Sequence, residues 1–295
     1  MRKDGRIILV GDNPFHGISH TGQERVAMRA KDVRSPRTAT DIVCTALDYG
    51  ADGFTFTVSD TTLEILEHLK EREKVPQLYA IVPYAYEYVR LAIALGGIPG
   101  LGNRIAKQII KARNLIAIWH GMRGVLTLDP AEAYKAYIAF EVSRIRVRAG
   151  KESLRCLFLH HIVGDMALAL DMDWLFKAHI AILESYGIKP GFHTHNFPFL
   201  IDRVKRWDID LDRILITAPF NAIGMQMNPG KEECEKAIAD LRCTNVIVFG
   251  ILAGGLLQAN DAIGYIDSLP HICGMAFGVS TIEQAKQTFS MVSCQ

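Results

Sequence analysis

The chain has 295 residues, 49% of them hydrophobic, with 33 Lys and Arg against 32 Asp and Glu and a formal net charge of +1. That balance removes the electrostatic case for nucleic acid as the main partner, and so apolar a chain builds a large core without disulfide or metal staples. The six cysteines form no C-x-x-C pair, the charged N-terminus lacks a signal-peptide pattern, and no apolar run reaches the about 18 residues of a membrane span, so the expectation is a cytoplasmic protein with reduced thiols.

Short apolar runs alternate with helical patterns. The first run, 6–10, precedes a long loop, 11–38. The second, 52–58, leads into a helix opened by Thr61 and Thr62, with Leu63, Leu66 and Leu69 on one face. The third is 77–82 and the fourth 154–160, with about seventy residues between them, where a crossover helix needs about a dozen. Helical patterns at 86–95, 103–113 and 130–148 fill that interval; 115–118, a ninth strand candidate, is assigned to it as well. The remaining runs are 190–195, 213–218, 246–250 and 272–277. Helices at 171–186 and 231–241 separate them, and a last helix, 281–291, has Ser280 as its expected N-cap, with Glu283 completing a capping box.

Eight strands alternating with helices predict an α/β fold, a (β/α)8 (TIM) barrel of a single domain over 1–295, with a helical insertion between strands 3 and 4 at about 96–128. Arg104, Lys107, Lys111 and Arg113 lie on an apolar helical pattern there. They read as a solvated face or a contact between copies of the chain, with membrane-surface binding as the alternative.

In such a barrel the site lies where strands end and βα-loops begin. After the first strand come Gly11, Asp12, Asn13, Pro14, Phe15, His16 and Gly17, then His20; Asp12 and His16 are metal-ligand or acid/base types, and the loop to Thr38 is a candidate lid. The fourth strand ends His160-His161. Alternation allows one of the two to face the mouth, and His160 is the choice. The fifth ends His193-Thr194-His195-Asn196, and imidazoles two residues apart on a strand aim at one point. His193, His195, His16 and Asp12 are therefore expected as ligands of a divalent transition metal (Zn, Mn or Fe), with His160 and Asp12 catalytic. Without a metal, the same histidines would act as general acid and base. Gly254 and Gly255 after the seventh strand, and Gly278, Ser280 and Thr281 before the last helix, suit an anion at a helix start. Arg25, Arg29, Arg34 and Arg37 are further candidates for holding an anionic substrate, whereas His68, His120, His179 and His271 read as structural.

From Leu154 to Phe289 the sequence resembles the aldo/keto reductases. Leu157-Phe158-Leu159-His160 resembles the segment ending in their catalytic histidine, and Gly191 through Phe197 the stretch whose Asn, here Asn196, holds the nicotinamide amide. Pro219-Phe220-Asn221, Ala253-Gly254-Gly255-Leu256 and Phe277-Gly278-Val279-Ser280 resemble their sixth-strand segment and last two cofactor loops. The resemblance implies a barrel and NAD(P) as cofactor. The second and third strands depart from that family: Gly53 to Thr57 has no Asp, no Tyr follows at the family's place, and Tyr79 to Pro83 has no Lys. His193-Thr194-His195-Asn196 also resembles the metal motif of isopropylmalate-synthase-type enzymes, whose partner Asp would be Asp12, although that motif sits on their seventh strand.

The first functional expectation is thus a metal-dependent barrel enzyme doing hydrolase or lyase/aldol-type chemistry on a small, polar, anionic metabolite. The alternatives are an NAD(P)-dependent oxidoreductase with Asn196, Gly254, Gly255, Gly278, Ser280 and Thr281 holding the cofactor, and a non-catalytic ligand-binding barrel.

Overall fold

The computed structural model of the chain describes residues 5–16, 35–111 and 114–293. Eight parallel strands close a barrel in sequence order: β1 (Ile7–Gly11), β2 (Gly53–Thr57), β3 (Gln77–Val82), β4 (Leu154–Leu159), β5 (Lys189–His193), β6 (Leu215–Pro219), β7 (Val246–Phe249) and β8 (Ile272–Gly278), with β8 paired to β1. The architecture is the expected (β/α)8 barrel, and every predicted apolar run supplies its strand.

Alternation explains why these runs are apolar throughout. One set of side chains, among them Val10, Phe56, Val82, Leu159, Phe192 and Phe277, packs outward beneath the helices. The other set, Leu9, Tyr79, Ile81, Cys156, Phe158 and Ile247, fills the barrel interior. Both faces of a parallel sheet are covered, so neither alternates with polar residues. Phe158 occupies the barrel axis because β5 carries Gly191 opposite it: a Cβ there would lie 2.3 Å from Phe158 Cδ1 and 2.7 Å from Cys156 Sγ.

The helices are α1 (Pro36–Asp48), α2 (Asp60–Glu71), α3 (Ala85–Ala94), α4 (Ile98–Lys111), α5 (Leu115–Thr127), α6 (Pro130–Ala149), α7 (His161–Ala169), α8 (Asp173–Ser185), α9 (Phe197–Arg206), α10 (Lys231–Ala239), α11 (Ala259–Asp267) and α12 (Ile282–Ser293). Several starts differ from expectation: α4 begins five residues early and α8 two residues late, and α2, α3 and α12 shift by one. Helix α2 is capped by Ser59, which exchanges hydrogen bonds with Thr62. At α12 the cap is Thr281, whose Oγ1 accepts from Gln284 N (3.1 Å), rather than Ser280 with Glu283. Helices α3 to α6 stand between β3 and β4. The ambiguous 115–118 stretch is helical because Asn114 caps it, its side chain accepting from Ala117 N. Ile109 and Ala117 pack with Ala139 and Phe140 of α6. No described helix is long and apolar enough to cross a membrane.

Gly17, His20, Arg25, Arg29 and Arg34, and with them most of the expected lid, lie outside the described residues. Arg37 is exposed on α1.

Candidate active site

The alternation that places Leu9, Gly191 and Ile247 inside the barrel carries Gly11, His193 and Phe249, two residues on, to its C-terminal mouth. Four histidines gather there. His160 and His161 stack with ring centroids 4.3 Å apart, His161 lies 4.4 Å from His195 and 5.1 Å from His193, and His193 stacks on Phe249 at 4.7 Å and 12°. The expectation that only one of His160 and His161 reaches the mouth fails because β4 ends at Leu159. His160 is already the N-cap of α7 and His161 its first residue, so strand alternation no longer separates them. His195 likewise lies beyond β5, which ends at His193.

His160 is buried, and its Nδ1 accepts from Ile162 N (3.2 Å), which leaves the ring proton on Nε2. Burial, then the neighbouring His195, lowers its pKa to about 4; Asp12 acts in the opposite sense. Burial, then His160 and His195, lowers His161 to about 3. His193 is pushed well below the ordinary value by burial and by the other three rings. These imidazoles are neutral at pH 7. Nitrogen atoms of His161, His193 and His195 lie within 4.8 Å of one another, and the buried Nδ1 atoms of His161 and His193 have no hydrogen-bond partner among the described residues. Such a donor set suits a transition ion.

Asp165 on α7 sets the shape of the β5 end. It accepts from Thr194 Oγ1 (2.6 Å), His195 N (3.2 Å) and Asn196 Nδ2 (3.0 Å), and Thr194 Oγ1 in turn accepts from Asn196 N. The Asn196 amide nitrogen, expected on a nicotinamide, is thus turned onto Asp165. Nothing in the sequence flagged Asp165, because it belongs to a helix and acts through a neighbouring loop.

Asp12 and His16 do not join the other histidines. Asp12 Oδ2 accepts from Thr57 N (2.7 Å) and pairs with His16 Nε2 (3.0 Å), and the His16 ring lies 5.3 Å from Tyr84, two residues beyond the end of β3. Among the described residues, the metal-sized group therefore contains His161 in place of Asp12 and His16. The mixed Asp/His centre read from the sequence is corrected on this point: Asp12 and His16 pair with each other beside Thr57 and Tyr84 rather than joining His193 and His195.

After β7, Gly254 and Gly255 are exposed with positive φ (70° and 90°), a backbone that glycine adopts without strain. After β8, Ser280 N donates to Gln284 Oε1 (2.9 Å), so that donor meets an anion only when Gln284 moves aside. The histidines read as structural sit away from this cluster. His179 is buried between Leu157 O and Tyr134 Oη, and His120 pairs with buried Glu132, whose pKa its hydrogen bond lowers to about 2.

No protein-family model matches the sequence, and no curated protein matches it. Solved structures do. Two structures of a Pseudomonas aeruginosa protein described as an aldo-keto reductase align at 12% identity over 97% of this chain, with TM-scores of 0.56 and 0.58 and 89% and 90% of their own chain covered. The glycerol dehydrogenase of Gluconobacter oxydans aligns at 12% identity over 96% of this chain and 85% of its own, with a TM-score of 0.50. The chain has an aldo-keto-reductase-like barrel. That finding carries the resemblance of the second half over nearly the whole chain, as a likeness of fold. It overturns the metal-dependent hydrolase or lyase as the leading reading: the structures just named are described as aldo-keto reductases and a glycerol dehydrogenase, and the Asp12–His16 arm of the proposed centre is engaged elsewhere.

Proposed function

We propose that the protein is an NAD(P)-dependent oxidoreductase acting on a small carbonyl or alcohol substrate at the C-terminal mouth of the barrel. The observation that carries this reading is His160: a buried, neutral imidazole at the end of β4, held through Nδ1 so that Nε2–H is the available donor. A carbonyl oxygen facing that proton is polarised without any charge change on the ring. The neighbours' class supports the cofactor, and its phosphates are assigned to the exposed Gly254–Gly255 loop and the Ser280–Thr281 turn before α12, where Ser280 N must first be released from Gln284 Oε1. A nicotinamide dinucleotide bound there supplies or accepts the hydride.

This chain's own residues then divide the remaining work. His160 orients the carbonyl. Tyr84, whose ring lies 5.3 Å from that of His16, is the residue we assign as proton donor, a role the sequence reading left unfilled because it sought a tyrosine after β2. Asp165 keeps His195 and Asn196 in place as a positioning residue. Steady-state reduction of a panel of small aldehydes and ketones with NADPH and NADH tests the reading. Turnover that Tyr84→Phe lowers by about 10²-fold or more supports it. No turnover of any carbonyl with either dinucleotide contradicts it.

A second reading concerns the cofactor alone. The orphaned nitrogens of His161 and His193 beside His195 favour a bound transition ion in addition to the dinucleotide. Elemental analysis of untagged protein decides it: about one equivalent is expected, and less than about a tenth removes the reading.

A further inference from the structure

We infer that helices α4 and α5 form a docking surface for an anionic lipid bilayer, on which the barrel sits peripherally. From Tyr88 to Leu128 the chain contains no Asp or Glu but carries Arg90, Arg104, Lys107, Lys111, Arg113 and Arg123. With the whole chain at +1, this stretch holds six positive charges and the remainder a net −5. The charge is thus concentrated in one segment, which composition alone hides.

The apolar side chains of the same segment are divided between two faces. Ala117 of α5 is buried in the cluster shared with α6, and Gly124 meets α6 so closely that a Cβ would lie 3.0 Å from Ala133 N. The opposite face carries Leu115, Trp119, Met122 and Leu126, spaced four, three and four residues apart, which is one stripe of a helix. They are 77%, 56%, 52% and 82% exposed. In the preceding helix, α4, Arg104 and Lys107 are exposed. A short helix with Trp and Leu on its outer face, flanked by Lys and Arg, is what lies in the headgroup region of a bilayer, its apolar side chains at the acyl boundary and its cations on lipid phosphates. A second copy of the chain is the poorer occupant. A two-fold contact sets a patch against itself, and the 88–128 stretch has no acidic residue of its own to meet the exposed Arg104 and Lys107 across such a contact.

The test is co-sedimentation of the full chain with vesicles of phosphatidylcholine alone and of phosphatidylcholine containing phosphatidylserine, at low and high salt. Binding to the anionic vesicles, weakened by salt, is expected. Leu115→Ser with Leu126→Ser, and separately Arg104→Glu with Lys107→Glu, each lower the vesicle affinity by about tenfold or more. The melting temperature should stay unchanged, since all four side chains are exposed. Protein that remains in the supernatant with both vesicle types overturns the proposal. So does light scattering that shows a dimer dispersed by Leu115→Ser with Leu126→Ser in a protein that ignores vesicles, because the occupant would then be a second copy.

Discussion

His160 and Asp165 show how much of the mouth depends on single side chains. His160 Nδ1 is occupied by the α7 backbone, so replacing the ring removes a donor from the mouth and a cap from the helix. His160→Ala is expected to lower kcat for carbonyl reduction by about 10²- to 10⁴-fold. The dinucleotide Kd, read by fluorescence, should change little, because the phosphate loops belong to β7 and β8. Asp165 accepts three hydrogen bonds that together fix Thr194, His195 and Asn196. Asp165→Ala leaves those donors to water or unpaired and should cost about 1–3 kcal/mol in urea unfolding. Asp165→Asn, which keeps one acceptor oxygen, should recover part of that loss; equal stability of the two variants would show that the carboxylate does not organise the loop.

At the scale of elements, the strands were legible and the site only partly so. Short continuous apolar runs marked all eight strands, because a strand buried on both faces can be built from little else. The ends were less legible. His160, His161 and His195 lie beyond the last residues of β4 and β5, where the alternation rule that assigned their directions stops applying. Asp165 and Tyr84 reach the site from a helix and a loop start, which strand patterns do not address. Gly191, by contrast, has a role visible only in three dimensions: its missing side chain admits Phe158 to the barrel axis. Gly191→Ala should destabilise the fold by about 1–3 kcal/mol through overpacking. A loss below a few tenths in thermal or urea unfolding would mean that the interior has room that these distances deny.

For the whole molecule, the neutral histidine cluster ties stability to pH. In the unfolded chain these imidazoles take up protons from about pH 6.5 downward. In the folded protein His160 and His161 do so only near 4 and 3. Between those limits the unfolded state binds more protons, so stability is fully present above about pH 6.5 and falls as the pH drops toward 4. Melting curves at pH 7.5, 6 and 5 should show this decline, and a His160→Gln, His161→Gln variant should show a shallower one; parallel declines would place the acid sensitivity elsewhere. The central claim, that an aldo-keto-reductase-like barrel lacking that family's Asp, Tyr and Lys still uses a nicotinamide cofactor, is reached most directly by titrating the purified protein with NADPH and NADH and following their fluorescence. The account predicts saturable binding in the micromolar range by at least one of the two. An unchanged dinucleotide signal up to millimolar protein would contradict it.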